Sequence, residues 1–327
     1  MHRPAGTSPA LPVPKLGPSP HERTPMTRAT PQIERIEMDS LACWRVLTAE
    51  AELLVAQQGA QVLSYRRHGE QPLIWLSEQA GYQPGQSVRG GVPVCWPWFG
   101  DLRRNPDAVQ ACYPGDGNAP AHGLVRGLDW ELDGVEALDG EVQLRFSFDT
   151  RRQPLPGWPH AARLGLTLRL DAQRLHLALD TENLGDAPLA ISQALHTYFA
   201  VSDIHQARVE GLDGCDYIET LDGWSRRRQA GDVAFSGETD RIYLGVPRRV
   251  AIHDAGWNRR VVLEAEGSSS AVVWNPWIDK STRLSQFAHD AWQRMLCIET
   301  AQVMDDVLHL APGARHRLAF SLWSEAL

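Results

Sequence analysis

A chain of 327 residues is long enough to bury a substantial core. Its 43 % hydrophobic and 22 % charged residues are ordinary for a globular protein, and a net charge of −8 offers no basic face for nucleic acid. No stretch approaches the ~20 apolar residues of a membrane span. Five cysteines at wide spacings, with no C-x-x-C pair, argue against a thiolate zinc site and for free thiols in a reducing cytoplasm.

Residues 1–31 are rich in Pro, Ser and Thr and contain no apolar h-region, so they read as a disordered tail and not as a secretory signal. Met26 is an alternative start. From residue 32 to 327 the chain reads as one β-rich domain. Val142, Leu144, Phe146 and Phe148 alternate with polar neighbours, as do Leu164 to Leu170 and Leu175 to Leu179. Period-two alternation places each apolar set on one face of a half-buried strand. The polar run Asp171 to Arg174 predicts a hairpin between the last two. Val250 with Ile252, Val261 with Leu263 and Ala265, Ala271 with Val273, and Leu318 with Phe320 and Leu322 predict further strands. A short helix is expected somewhere between Leu284 and Leu296. Many strands and few helices predict an all-β, antiparallel sandwich.

Five segments carry residues suited to chemistry. Arg89-Gly90-Gly91 opens a run through Trp96, Trp98 and Phe99. The glycines permit close backbone approach to a ligand or a strand, the aromatic faces suit the C–H face of a sugar, and Arg89 offers a planar fork for phosphate or carboxylate. His122 and Arg126 flank Gly123 on an expected loop. His196 lies among apolar neighbours, where a hydrogen-bonded core role competes with proton transfer. Asp240 suits sugar hydroxyls or an ion pair with Arg241 or another cation. Trp274-Asn275 closes one apolar run and Glu299 another, where burial should raise the carboxyl pKa and make it a candidate base or a buried ion-pair partner. No phosphate loop, H-E-x-x-H or G-x-S-x-G motif is present.

In order, RGGVPVCWPWFG, HGLVRGLDWEL, LHTYFAVSDI, TDRIY, VVWNPW and CIE resemble the glucose-6-phosphate 1-epimerases of the aldose 1-epimerase (galactose mutarotase-like) superfamily, over about Ile33 to the C-terminus. The resemblance implies a large antiparallel β-supersandwich, a monomer, a hexose 6-phosphate as small-molecule substrate, and no cofactor or metal. It assigns His196 and Glu299 as the catalytic pair, Arg89 and Arg126 as phosphate-holding arginines, and Asp240 as a sugar-hydroxyl ligand. His122, Trp274 and Asn275 join the substrate-binding set. Where some members carry a substrate-contacting Gln before the HG pair, this chain has Ala121.

Anomers interconvert through the open-chain aldehyde. One group removes the C1 hydroxyl proton, another protonates the ring oxygen, and the ring recloses after rotation about C1–C2. The expected roles are Glu299 as base and His196 as acid, reversing on closure, with ionised Glu299 raising the His196 pKa. Competing readings are an epimerase of unphosphorylated aldoses, a non-catalytic carbohydrate-binding module, and a glycosidase, which would need two carboxylates.

Overall fold

The computed structural model describes residues 30–115, 119–138 and 140–327. The Pro-rich tail, but for its last two positions, lies outside the described residues. Two large antiparallel sheets dominate. The first, of nine strands, runs in the order Val233–Ala234, Ala207–Glu210, Arg249–Asp254, Arg259–Glu266, Arg315–Ala326, Leu175–Asn183, Ala162–Leu170, Glu141–Asp149 and Glu131–Leu138. The second is built along Ser225–Arg228, Asp216–Glu219, Thr239–Leu244, Ser270–Asn275, Met295–Gln302, Gln193–Leu195 and Val94–Cys95, with Tyr198–Ala200 also paired to Met295–Gln302. A four-stranded meander, Gln32–Met38 through Val62–Arg67, and the pair Leu189–Ile191 with Leu308–Leu310 complete the sheets of the described residues.

The strands read from alternation form where expected. Leu164, Leu166, Leu168 and Leu170 are buried while their neighbours face outward, and Leu175, Leu177 and Leu179 continue the same face. The hairpin between them is closed by Asp171, whose Oδ1 accepts from the backbone N–H groups of Gln173 and Arg174. The expected helix before Leu296 is reduced to one 3₁₀ turn, Ala291–Arg294. The buried Asn275 amide donates to the carbonyls of Trp292 and Met295 at 2.8 Å, taking acceptors that a longer helix would use.

One apolar cluster joins the inner faces of the two large sheets, including Leu166, Leu177 and Phe320 from the first and Leu195, Val273 and Ile298 from the second. A polar bridge crosses it: Thr181 Oγ1 donates to Gln193 Oε1 at 2.9 Å, and Gln193 Nε2 donates to Gln302 Oε1 at 2.7 Å. The residues of Met295–Gln302 alternate across this layer. Gln302 and its even-numbered companions face the nine-stranded sheet, so Cys297 and Glu299 face the other way.

The Gly-Gly pair serves chain-to-chain approach. Gly91 has φ 70°, and a Cβ there would sit 2.2 Å from the Val62 carbonyl oxygen. Trp96 and Trp98, whose aromatic faces would suit a sugar or a packed, Pro-stiffened loop, are buried as in the packed loop: Trp96 packs edge-on against Trp158, and Trp98 against Tyr113 while its Nε1 donates to Pro120 O.

Arg259 is buried with Asp254, Nε to Oδ2 3.4 Å, and also donates to the carbonyls of Gln71, Pro72 and Ala200. Ser202 donates to the same carboxylate through its N–H and its hydroxyl. This network ties the segment before Leu73, the segment after Tyr198 and the nine-stranded sheet together. Removing one partner of a buried pair strands the other charge, which typically costs 3–5 kcal/mol. Asp254→Ala should therefore lower unfolding free energy by roughly that amount in urea titrations; a loss under about 1 kcal/mol, the scale of an exposed pair, would contradict the assignment.

Candidate active site

Strand register builds the site. Glu299, Val272 and Ile242 are directly opposed across three neighbouring strands, and the next row is Tyr198, Cys297, Trp274 and Asp240. Both rows lie on the face turned away from the nine-stranded sheet. Gln193–Leu195 and Tyr198–Ala200 pair with the same edge of Met295–Gln302 but leave it at His196 and Thr197. There the His196 N–H donates to Pro93 O at 3.0 Å. The released imidazole stands beside Glu299, Nε2 to Oε1 3.5 Å.

These rows floor a cleft of about 990 Å³, at the upper end of small-molecule pockets, ~300–1,000 Å³. Arg89, His122, Arg126, His196, Asp240, Trp274 and Glu299 all line it. Asn275 does not. Its Oδ1 accepts from Trp277 N–H at 2.9 Å and its Nδ2 is spent on two carbonyls, so it shapes the turn after Trp274 and has no group left for substrate. The aromatic lining comes from Phe99, Tyr198, Trp224 and Trp274. Tyr198 stacks on His196 with ring centroids 4.8 Å apart and planes within 6°. Its position two residues after His196 in LHTYF was the available signal, since a strand returns every second side chain to one face.

His122 holds its place by strain and contact. Its φ is 66°, its Nδ1 accepts from Gly100 N–H at 3.3 Å, and its ring lies 5.3 Å from that of His196. Next to it, Gly123 has φ 78°, and a Cβ would fall 2.0 Å from Trp96 O, so only glycine fits. Arg126 donates to the carbonyl of Ala121 at 2.9 Å; at this position the chain supplies a backbone acceptor that aims an arginine. Arg89 donates to Ser285 O at 3.3 Å and to the Tyr198 hydroxyl at 3.4 Å. Asp240 does not pair with Arg241, which turns to the opposite face and binds Glu219 at 2.9 Å. Its neighbour is Lys280, 3.7 Å away.

The electrostatics are those of a buried, cation-rich site. His196 is 7 % exposed and Glu299 1 %. Burial, with the nearby Asp240 charge, raises the Glu299 pKa well above the usual carboxyl range. Burial first, then His122, Arg126 and Arg89, holds His196 well below the usual imidazole range. The expected lift from ionised Glu299 is thus not what the structure gives: desolvation and the charges of Arg126 and Arg89 outweigh it. His122 is pushed down to about 3 by burial and the two arginines. Asp240 is raised by burial, opposed by Lys280. Glu299 Oε2 and His196 Nδ1 have no hydrogen-bond partner within the protein. Buried polar atoms without partners are costly and rare, and two of them on one cleft wall mark a place built for a polar ligand. The two side chains, 3.5 Å apart between His196 Nε2 and Glu299 Oε1, can supply one proton donor and one acceptor in a cleft that also holds Arg89 and Arg126. Cys95 and Cys297 are buried, with thiol pKa values raised by desolvation, which leaves them inert.

A family model described as Aldose 1-epimerase matches residues 46–323. A protein of Escherichia coli (strain K12) named "Putative glucose-6-phosphate 1-epimerase" is 33 % identical over 274 residues, covering 83 % of this chain and 87 % of its own. A protein of the same name from Cenchrus ciliaris is also 33 % identical, covering 80 % and 79 %. A crystal structure titled as a putative mutarotase from Salmonella typhimurium superposes with TM-score 0.79 and 28 % identity over 90 % of this chain and 94 % of that one. With an all-β sandwich of this architecture and a match over most of its length, the chain belongs to the aldose 1-epimerase family.

Proposed function

We propose that the protein interconverts the α and β anomers of hexose 6-phosphates, with His196 and Glu299 as the acid–base pair and Arg89 and Arg126 holding the phosphate. The observation that carries this reading is the pairing of a buried His–Glu contact with arginines that have no carboxylate within 4.0 Å among the described residues. Most other arginines among the described residues are matched to acids, as Arg317 with Asp180 and Arg315 with Glu182. An uncompensated cationic cleft in a protein of net charge −8 attracts and retains an anion. Residues 32–327 act in this reading as one domain, supported by the apolar cluster that runs through both large sheets. Among the described residues no helix is long and apolar enough to cross a membrane. We read the enzyme as a cytoplasmic monomer.

The reaction needs one proton shared over two groups. In the free site burial disfavours both charged forms and so favours protonated Glu299 beside neutral His196, one acid and one base. Phosphate binding changes the balance. A dianion on Arg89 and Arg126 cancels the charges that oppose imidazolium, so His196 gains proton affinity when substrate is in place. The pair can then pass its proton between the ring oxygen and the C1 hydroxyl without solvent, in either direction. Asp240, held near Lys280, accepts from sugar hydroxyls, and the indole of Trp274 offers a flat apolar face. An epimerase of free aldoses would use the same pair and leave the arginines unused.

Glu299→Gln and His196→Asn should each lower anomerisation ~10²–10⁴-fold, the usual contribution of a placed acid or base, with unchanged circular dichroism; near-parental rates in either would remove that residue from the mechanism. Arg126→Gln has two expected readouts. Turnover of glucose 6-phosphate should fall by a larger factor than turnover of glucose, and the His196 imidazole, followed by NMR titration, should protonate at higher pH because one opposing charge is gone. Equal losses on both sugars with an unmoved or lowered His196 pKa would contradict the phosphate role.

A further inference from the structure

Arg104 also lines the cleft, yet no motif assigns it. It ends the 3₁₀ turn Leu102–Arg104, which is rigidly set. The Asp101 side chain accepts from Arg103 N–H, and the buried Asn105 amide donates to Phe99 O at 2.8 Å and Asp101 O at 2.9 Å. Its neighbour Arg103 is paired with Asp101 at 2.7 Å. Arg104 has no carboxylate within 4.0 Å among the described residues. Instead its guanidinium carbon sits 5.1 Å from the ring centroid of Trp224.

Trp224 comes from the opposite wall. It closes the turn between Asp216–Glu219 and Ser225–Arg228, and it too lines the cleft. Its φ is 58°, in the left-handed region that a bulky side chain rarely occupies. Such strain persists where the surroundings hold it and clusters at functional sites. The three arginines that follow on the hairpin, Arg226, Arg227 and Arg228, are each bound to an aspartate. The cation reaching this wall's aromatic face is therefore Arg104, from the other side. The distinction is chemical. A carboxylate partner consumes guanidinium N–H donors, whereas an aromatic face holds the cation through its quadrupole and leaves every donor free.

We propose that Arg104 is a third phosphate-recognition group at the mouth of the cleft and that Trp224 is its positioning residue. This rests on the hexose 6-phosphate reading above. Arg104 is placed to meet the phosphate as substrate enters and to share it with Arg89 and Arg126. Its effect is on binding and not on the proton transfers, which take place at His196 and Glu299.

The test uses the full-length chain, glucose 6-phosphate as substrate and inorganic phosphate as competing anion, with Arg104→Gln, Trp224→Ala and Trp224→Phe. Arg104→Gln should raise KM for glucose 6-phosphate ~10-fold or more, the scale of one lost charge-assisted contact. It should raise the inhibition constant of inorganic phosphate in parallel, with kcat within about twofold of the parent. Trp224→Ala should move both constants the same way by less, and Trp224→Phe, which restores an aromatic face, should recover most of the loss. Unchanged KM and phosphate inhibition in Arg104→Gln, a fall confined to kcat, or a Trp224→Phe variant no better than Trp224→Ala would each overturn the assignment. If the parent enzyme neither prefers the phosphorylated sugar nor is inhibited by phosphate, the functional reading itself fails, and this inference with it.

Discussion

The His196–Glu299 contact depends on strand register: Leu195 lies opposite Thr300 and Tyr198 opposite Cys297, so His196 between them falls opposite Glu299. Gln193–Leu195 and Tyr198–Ala200 lie along one edge of Met295–Gln302, and between them the chain steps off at His196 and Thr197. On its other edge the His196 N–H continues the register of Leu195 with Val94 by donating to Pro93 O, and it is the Thr197 N–H that folds back, onto Leu195 O. Everything that fixes Met295–Gln302 therefore fixes the reacting groups: the Ser270–Asn275 pairing on its other edge, the Thr181–Gln193–Gln302 bridge to the nine-stranded sheet, and the Asn275 amide that anchors Met295 O. A site on a central strand is held more tightly than one on a loop. The loops contribute the groups that need reach, Arg89, His122 and Arg126.

The same burial that positions the pair sets its protonation. In water a His–Glu pair at neutral pH would be an ion pair. At a few per cent exposure the charged forms lose solvation, and the nearby cations oppose imidazolium further. The result is a neutral pair poised to exchange a proton, whose bias a bound anion resets. Substrate phosphate then does more than anchor: it alters the field at a reaction centre it does not touch. This links affinity to chemistry through charge, with no moving part required.

The sequence carried the frame of this account unevenly. Strands with one solvated face, such as Ala162–Leu170 and Leu175–Asn183, announce themselves by alternation. Val94–Cys95, Gln193–Leu195 and Tyr198–Ala200 do not, because every residue in them is buried and they are only two or three residues long. These are the strands that place His196. Seven of the eight candidate site residues converge on one cleft, and that convergence was legible from motif order and not from local chemistry. Asn275 was misassigned because a polar residue beside Trp274 looks alike whether it faces a ligand or caps a turn. Trp96 and Trp98 carried the same ambiguity between a sugar face and a packed loop, and their indoles are used for packing. The depressed His196 pKa, and the places of Tyr198, Lys280 and Arg104 in the cleft, depend on neighbours distant in the chain and could not be read from spacing.

The most direct test of the central claim is the rate at which freshly dissolved α-glucose 6-phosphate reaches anomeric equilibrium, followed by NMR with the purified protein and corrected for the spontaneous reaction in the same buffer, beside an identical run with α-glucose. The account predicts strong acceleration for the phosphorylated sugar and a much weaker effect on the free one. Equal or greater acceleration of free glucose would contradict the role given to the arginines, and acceleration of neither would leave His196 and Glu299 without the chemistry assigned to them.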